Sequence, residues 1–475
     1  MPDVPEKIFK SYDVRGVVGS EINDDVAETI GDATVKAMKA KKIAVGRDMR
    51  EHSPSLEAAL VKGITGAGAD AVLIGQCSTP MTYYASAVLD VDVAIMITAS
   101  HNPAEYNGFK FCKRNGDPVG RGTGLELIRD VAVSDRPAKP AGSHRGSVER
   151  NDLLDPWCDH LTRYVGRLRP MKIVIDFGNG VMGPIIRALL GKIDPDNVLS
   201  VTWLFDEPDG TFPWHPADPV RPVNLRHLQG AVLAAQADIG VAFDGDGDRL
   251  AMVDDKAAIV RSDLITALFA RQFLSKPENH GKHVLYDLRS SAVVAQVIES
   301  AGGVAEMCRV GHSHVKTAMR GTRLGNVRDP SVDGDVIFAG ELSGHFFFSD
   351  CFAVDSSERA FLLLLDILSA DDRSLAELIE PLRKAWHSGE INFRLPDQQN
   401  MVEILDRTAD KFSDAQTFRL DGISIENESW WANIRPSNTE PVLRLTAESL
   451  KCKEELDAVV TNFESLISEF GGERV

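Results

Sequence analysis

Short apolar runs recur along the chain, each breaking into a loop rich in glycine and polar residues and then into a stretch with helical spacing. Lys42 to Val45 leads into Gly46-Arg47-Asp48, and Ala71 to Ile74 stops at Gly75. Val91 to Ile97 runs into Thr98-Ala99-Ser100-His101-Asn102-Pro103. Lys172 to Ile175 opens onto Asp176-Phe177-Gly178-Asn179-Gly180, and the apolar positions of Gly183 to Leu190 then suit a helix. Asp238 to Phe243 delivers Asp244-Gly245-Asp246-Gly247-Asp248-Arg249, and His283 to Tyr286 delivers Asp287-Leu288-Arg289-Ser290-Ser291. Alternation of this kind predicts an α/β chain built from strand–helix–strand units with mainly parallel sheets. In such folds chemistry collects at the carboxyl ends of strands, where these polar loops fall.

The breaks between units are softer. Asp135 to Ser147 is rich in Pro, Gly and Ser and reads as a linker. Asp254 to Lys256, after a strand-like Leu250 to Val253, closes a second unit, and a third break falls near Ala370 to Arg373. A chain of 475 residues corresponds to about three domains at roughly 150 residues each, with four not excluded. No low-complexity tract or short tandem repeat interrupts it.

Composition narrows the partners. Apolar types at 43% and charged types at 26% exclude a mostly disordered or fibrous chain. Fifty-two Lys plus Arg against 70 Asp plus Glu leave a formal charge of −18, which repels nucleic acid and anionic membrane alike. The six cysteines form no CxxC pair, so they make neither a zinc framework nor a disulfide scaffold. Met1-Pro2-Asp3-Val4-Pro5-Glu6 lacks the basic start and apolar stretch of a signal peptide. The run Ala360 to Leu365 falls far short of the ~20 residues that span a bilayer. The expectation is a soluble, reduced, cytoplasmic protein.

Among the loops, Asp244, Asp246 and Asp248 place three carboxylates two residues apart with glycines between them. These are hard oxygen ligands for Mg²⁺ or Ca²⁺, and clustered without a cation they would repel one another. An EF-hand is excluded, because its sixth position would be Arg249 and its twelfth Asp255. An ordinary Asp/Gly turn is the alternative. Ser100 offers a hydroxyl nucleophile beside His101, although neighbours in sequence need not face each other. Lys110 and Arg15 could equally be surface charges. Arg435-Pro436-Ser437-Asn438-Thr439-Glu440-Pro441 is a donor set that suits a phosphate dianion, or else a Pro-bounded turn. Gly340-Glu341-Leu342-Ser343-Gly344-His345 could meet sugar hydroxyls, or be a plain loop.

Taken together and in order, TASHNP, DGDGDR, GELSGH and RPSNTEP resemble the α-D-phosphohexomutases, in particular their bacterial phosphomannomutase/phosphoglucomutase branch. YDVRG at 12–16, VGRDMR at 45–50, DFGNG at 176–180 and VGHSHVK at 310–316 extend the likeness to nearly the whole chain. The resemblance implies four domains in a heart-shaped enzyme, three related α/β domains with mixed, largely parallel sheets and a smaller α+β C-terminal domain. Their expected spans are 1–150, 151–255, 256–370 and 371–475, carrying in turn the phosphoserine, metal, sugar and phosphate loops.

It further implies that Ser100 carries phosphate and binds Mg²⁺ together with Asp244, Asp246 and Asp248. Arg15, His101 and Lys110 would lie at the transfer site, and Arg249 at the phosphate. Glu341, Ser343 and His345 would hold the sugar, and Arg435, Ser437, Asn438 and Thr439 the non-reacting phosphate. Tyr12, Arg289 and His312 complete the substrate-binding set. The implied reaction interconverts hexose 1- and 6-phosphates of mannose or glucose, with a glucose or mannose 1,6-bisphosphate as activator and intermediate. A monomer is expected, with a dimer as the alternative. Three departures stand out: Arg289 where some relatives carry Lys, a longer stretch at Arg328 to Val336, and Asp355-Ser356-Ser357 in place of an Asp-Gly pair. A metal-dependent sugar phosphatase, a sugar-phosphate binding protein and a phosphoglucosamine mutase are the competing readings. Leu342 argues mildly against the last, where Gln is usual at that place.

Overall fold

Strands whose sequence is apolar throughout lie at the centre of sheets: Val93–Ile97 and Ile239–Phe243 are buried along their whole length in the computed structural model, as strands covered on both faces must be. The structure describes residues 4–134, 145–321, 335–397, 400–437 and 442–475. Most of the expected linker and the long stretch before Val336 lie outside these described residues. The chain forms two compact units, Met1–Arg261 with Ser343–Leu378, and Ser262–Leu342 with Ile379–Val475.

The first unit holds two mixed sheets. One runs Val14–Val17, Tyr106–Lys113, Val93–Ile97, Lys42–Arg47, Asp70–Gln76, Val148–Arg150 in spatial order. Its last four strands are parallel, and Tyr106–Lys113 runs antiparallel to the strand on either side of it. The other runs Ile259–Val260, Leu250–Val253, Ile239–Phe243, Met171–Asp176, Leu199–Leu204, again with parallel strands on one side and antiparallel ones on the other.

Here the structure departs from the strand–loop–helix reading. The loops after Val93–Ile97 and Ile239–Phe243 lead into antiparallel strands. A parallel return needs a crossover of a dozen or more residues, and residues 98–105 and 244–249 are too few to make one.

Helices Asp24–Met38 and Ser53–Gly66 cover the first sheet and approach each other backbone to backbone. A Cβ on Gly31 would lie 2.3 Å from the Leu60 carbonyl oxygen, and one on Gly63 would lie 2.0 Å from that of Glu28. The returning segment supplies the hairpin Phe346–Phe348 and Val354–Asp355 and the helix Ser357–Ala370. That helix contains the apolar run 360–365 and is buried almost all round, the behaviour of a core helix. Among the described residues no helix is long and apolar enough to cross a membrane.

The second unit contains a parallel ladder, Val304–Cys308, His283–Asp287, Val336–Gly340, with helices Ser262–Leu274, Ala292–Ser300 and His312–Met319. It also contains a wholly antiparallel six-stranded sheet from Trp386–Arg394 onward. Helices Asn400–Lys411 and Lys453–Ser468 close that sheet's core through Ile404, Leu456, Val459 and Phe463.

All six cysteines are free thiols, five of them buried and Cys452 partly exposed. Burial pushes Cys77, Cys158 and Cys351 up to about 12.

Candidate active site

The two hairpin loops of the first unit meet. Ser100 sits in the left-handed region at φ 50°, a conformation that costs a non-glycine residue roughly 1–3 kcal/mol and persists only where the surroundings impose it. Thr98 helps to impose it, its Oγ1 accepting the Ser100 N–H at 2.8 Å. The buried Ser100 hydroxyl donates to Asp244 Oδ2 at 2.9 Å and lies 3.2 Å from His101 Nδ1.

Asp244, Asp246 and Asp248 each turn one oxygen inward, all within 4.8 Å of one another. The glycines let them do so. A Cβ on Gly245 would stand 2.6 Å from the Ser100 carbonyl oxygen, and Gly247 has φ 73° with Met182 where its Cβ would be. Asp244 Oδ1 accepts the N–H groups of Asp248 and Arg249 at 3.1 and 3.2 Å.

Electrostatics set the three acids apart. Burial, then Asp248 and Asp246, push Asp244 well above the usual carboxylate range. Burial works the same way on Asp248, but Lys110 and His345 outweigh it and hold that group well below. Lys110 Nζ bridges Asp246 Oδ2 at 2.7 Å and Asp248 Oδ2 at 2.5 Å. Burial disfavours its charge, yet the two carboxylates raise its pKa. Burial, followed by Arg249 and Arg15, keeps His101 neutral, well below the usual imidazole range.

A divalent cation fits this constellation. Oδ1 of Asp246 is buried without a hydrogen-bond partner, and three converging carboxylates are the donor set of a hard ion.

The first unit carries half of the other expected residues. Arg15 donates to Asn102 Oδ1 at 2.7 Å and pairs with Asp13. Arg249 Nε lies 3.2 Å from His345 Nε2 and 3.9 Å from Asp244 Oδ2. His345 Nε2 is 3.3 Å from Asp248 Oδ1, and Ser343 Oγ is 2.9 Å from His345 Nδ1. Tyr12 is buried close to Arg15 in sequence.

The second unit carries the rest. Glu341 Oε1 accepts the Gly311 N–H at 2.7 Å, next to His312 at the start of its helix. Arg289 is fixed by an ion pair with Asp287 and reaches Glu390 Oε2 at 3.2 Å. Arg435 Nη2 donates to the same Glu390 oxygen at 2.8 Å, and Arg444 Nη1 approaches its other oxygen at 2.9 Å. Burial is outweighed by the three arginines, which hold Glu390 at about 2. Ser437 donates its N–H to the Val442 carbonyl; Asn438 and Thr439 lie outside the described residues.

Sequence reasoning missed Thr79, whose Oγ1 donates to Asp246 Oδ2 at 2.6 Å and whose N–H donates to the Asp246 carbonyl at 2.8 Å. Its signal was a Ser-Thr-Pro helix start in an otherwise apolar stretch. Glu390 and Arg444, also missed, had none.

Family models for the phosphoglucomutase/phosphomannomutase alpha/beta/alpha domains I, II and III match residues 6–135, 155–257 and 261–385, and the C-terminal domain model matches 390–465. The chain belongs to the phosphoglucomutase/phosphomannomutase family. A phosphomannomutase of Escherichia coli K12 is 36% identical over 450 residues, covering 93% of this chain and 94% of that one. A phosphoglucomutase of Neisseria meningitidis is also 36% identical, over 457 residues and 94% of each chain. Among solved structures, a phosphoglucomutase/phosphomannomutase family protein of Burkholderia thailandensis superposes with a TM-score of 0.86 at 33% identity over 98% of both chains. An Aspergillus fumigatus N-acetylphosphoglucosamine mutase, solved with GlcNAc-6P and magnesium, has a TM-score of 0.61 at 14% identity, covering 98% of this chain and 97% of that one, a likeness of fold alone. As a member of the phosphoglucomutase/phosphomannomutase family this chain is an enzyme, a mutase acting on sugar phosphates.

Proposed function

We propose that the enzyme interconverts hexose 1-phosphates and hexose 6-phosphates, of mannose, glucose or both, by way of phosphorylated Ser100 and a hexose 1,6-bisphosphate. The observation that carries this reading is the Ser100 hydroxyl seated 2.9 Å from Asp244 inside a carboxylate triad. Asp244, Asp246, Asp248 and the phosphate on Ser100 would hold Mg²⁺, which when bound draws charge from the phosphoryl group.

The protein's own share is positioning and charge neutralisation, which dominate phosphoryl transfer. Lys110 and Arg15 supply positive charge beside Ser100, and His101, 3.2 Å from the hydroxyl, is placed to hold or pass its proton. Ser343, His345 and Glu341 would hold the sugar. Arg435, with Ser437, Asn438 and Thr439, would grip the phosphate that does not react, with Tyr12, Arg249, Arg289 and His312 completing the set. Because the bisphosphate must return its other phosphate, that grip has to accept either end of the sugar. The segments 1–150, 151–255, 256–370 and 371–475 are the proposed domains, each carrying one of the four loops.

The test is incubation with glucose 1-phosphate, mannose 1-phosphate and glucosamine 1-phosphate in turn, with Mg²⁺ and a trace of bisphosphate. Formation of the 6-phosphate isomer from the first two is expected. Inorganic phosphate as the product would make the enzyme a phosphatase, and turnover of the glucosamine ester alone would reassign the substrate.

A further inference from the structure

Arg50 lies in the VGRDMR segment, bears a full charge, and is buried completely in the first unit. Its partners are not surface groups. Nη2 donates to the carbonyl oxygens of Ser100 and Asn102 at 2.9 and 2.6 Å, and Nη1 to those of Pro103 and Tyr106 at 2.6 and 3.1 Å. One guanidinium therefore collects three carbonyls from the loop that carries Ser100 and a fourth from Tyr106, the first residue of the strand that follows. Its Nε is spoken for by Asp48 Oδ2 at 3.1 Å, and Asp48 Oδ1 accepts both the Arg50 N–H and the Ser53 hydroxyl. Asn107 donates to Ser53 Oγ at 3.0 Å, closing the network back onto the strand that leaves the loop. From the other side the Phe212 ring covers the guanidinium at 5.1 Å, and Gly210 packs so tightly that a Cβ there would stand 2.6 Å from the Arg50 Cα.

Carbonyls crowded in this way repel one another unless a donor with several fixed N–H groups sits among them, and only arginine offers that planar fork. The need is greatest where the chain is least relaxed. Ser100 holds φ 50°, and its carbonyl faces Gly245 of the triad loop as well as Arg50. Loss of the fork would let the loop turn Ser100 away from Asp244 without touching any residue that contacts the sugar.

We infer that Arg50 is a positioning residue for the reaction: clamped by Asp48, it fixes the backbone of residues 100–106 so that the Ser100 oxygen points into the carboxylate triad. This inference rests on the mutase reading given above. Arg50→Lys keeps the charge and loses the fork, which makes it the informative variant. Since displacement of a reacting group by about 1 Å can cost on the order of a hundredfold, kcat should fall by roughly that factor while KM for hexose 1-phosphate stays near that of the wild type. Amide hydrogen exchange should quicken in peptides spanning 98–107 and nowhere else. Asp48→Asn, which leaves the fork but frees its Nε, should show both effects more weakly.

An Arg50→Lys enzyme with wild-type kcat and unaltered exchange would overturn the inference, as would a pair of variants that merely unfold, since that would assign Arg50 to stability alone. A wild type that isomerises no hexose phosphate would instead bring down the mutase reading, and the exchange comparison, which needs no turnover, would still decide whether Arg50 sets the loop.

Discussion

The two oxygens of Asp246 differ: Oδ2 takes hydrogen bonds from Thr79 and Lys110, and Oδ1 is buried without a hydrogen-bond partner, the oxygen we propose for the cation. Asp246→Asn removes an anionic ligand from a hard ion, so Mg²⁺ affinity should fall at least on the order of tenfold. Calorimetric titration of Mg²⁺ checks this, and an unchanged dissociation constant would refute the ligand role. Arg435→Ala behaves differently because Glu390 keeps Arg289 and Arg444 as partners, so no buried charge is stranded. The variant should fold, yet lose a charge-assisted bond worth roughly 1.5–3 kcal/mol, weakening hexose phosphates about ten- to a hundredfold. Steady-state kinetics on glucose and mannose 1-phosphate should show equal losses; a full kcat/KM on both would mean that Arg435 only supports the sheet. These residues differ in how visible they were. Asp244, Asp246, Asp248 and Ser100 were legible as candidates because each motif carries its chemistry within a few residues, and the structure brings them together. Thr79 and Glu390 were not, since their partners stand 167 and 45 positions away: the helix start at Thr79 marks a cap without naming its partner, and nothing local marks Glu390.

At the scale of elements, the apolar runs located the central strands well but gave no sign that the two chemical loops are hairpins. Tyr106–Lys113 and Leu250–Val253 are antiparallel partners of the preceding strands, and periodicity does not report strand direction. The consequence is that both loops are anchored at each end by one sheet, which suits a site requiring fixed geometry. The helix pair covering the first sheet gives a sharper test. Gly63→Ala would drive a methyl group to 2.0 Å from the Glu28 carbonyl oxygen. The helices must then separate, at a cost of about 1–3 kcal/mol. Gly66→Ala, three residues on and with nothing within 4 Å of its Cβ, is the control. Thermal unfolding should show a clear drop for the first and little change for the second; equal behaviour would mean that the close approach is not maintained in solution.

For the molecule as a whole, stability should depend on pH through Glu358, which lies on the buried helix 357–370. Burial raises its carboxyl from 4.5 to about 7, against hydrogen bonds from Ser78, Ser356 and Trp157 that favour the charged form. The folded state thus holds a proton that the unfolded chain has already released between these values, so stability declines as pH rises through that window. Above it the full cost is roughly 3 kcal/mol. Glu358→Gln should flatten the decline and gain on the wild type as pH climbs from about 5 to 8, read from denaturant midpoints; parallel curves would exclude Glu358 as the cause. The free thiols turn the same buried interior into an observable. A pulse of alkylating reagent on the native protein should modify Cys452, while Cys77, Cys112, Cys158, Cys308 and Cys351 remain inert until the region around each one opens. Four of these five lie in the first unit and Cys308 in the second. Peptide-resolved labelling would therefore time the opening of each unit separately, with no engineered probe.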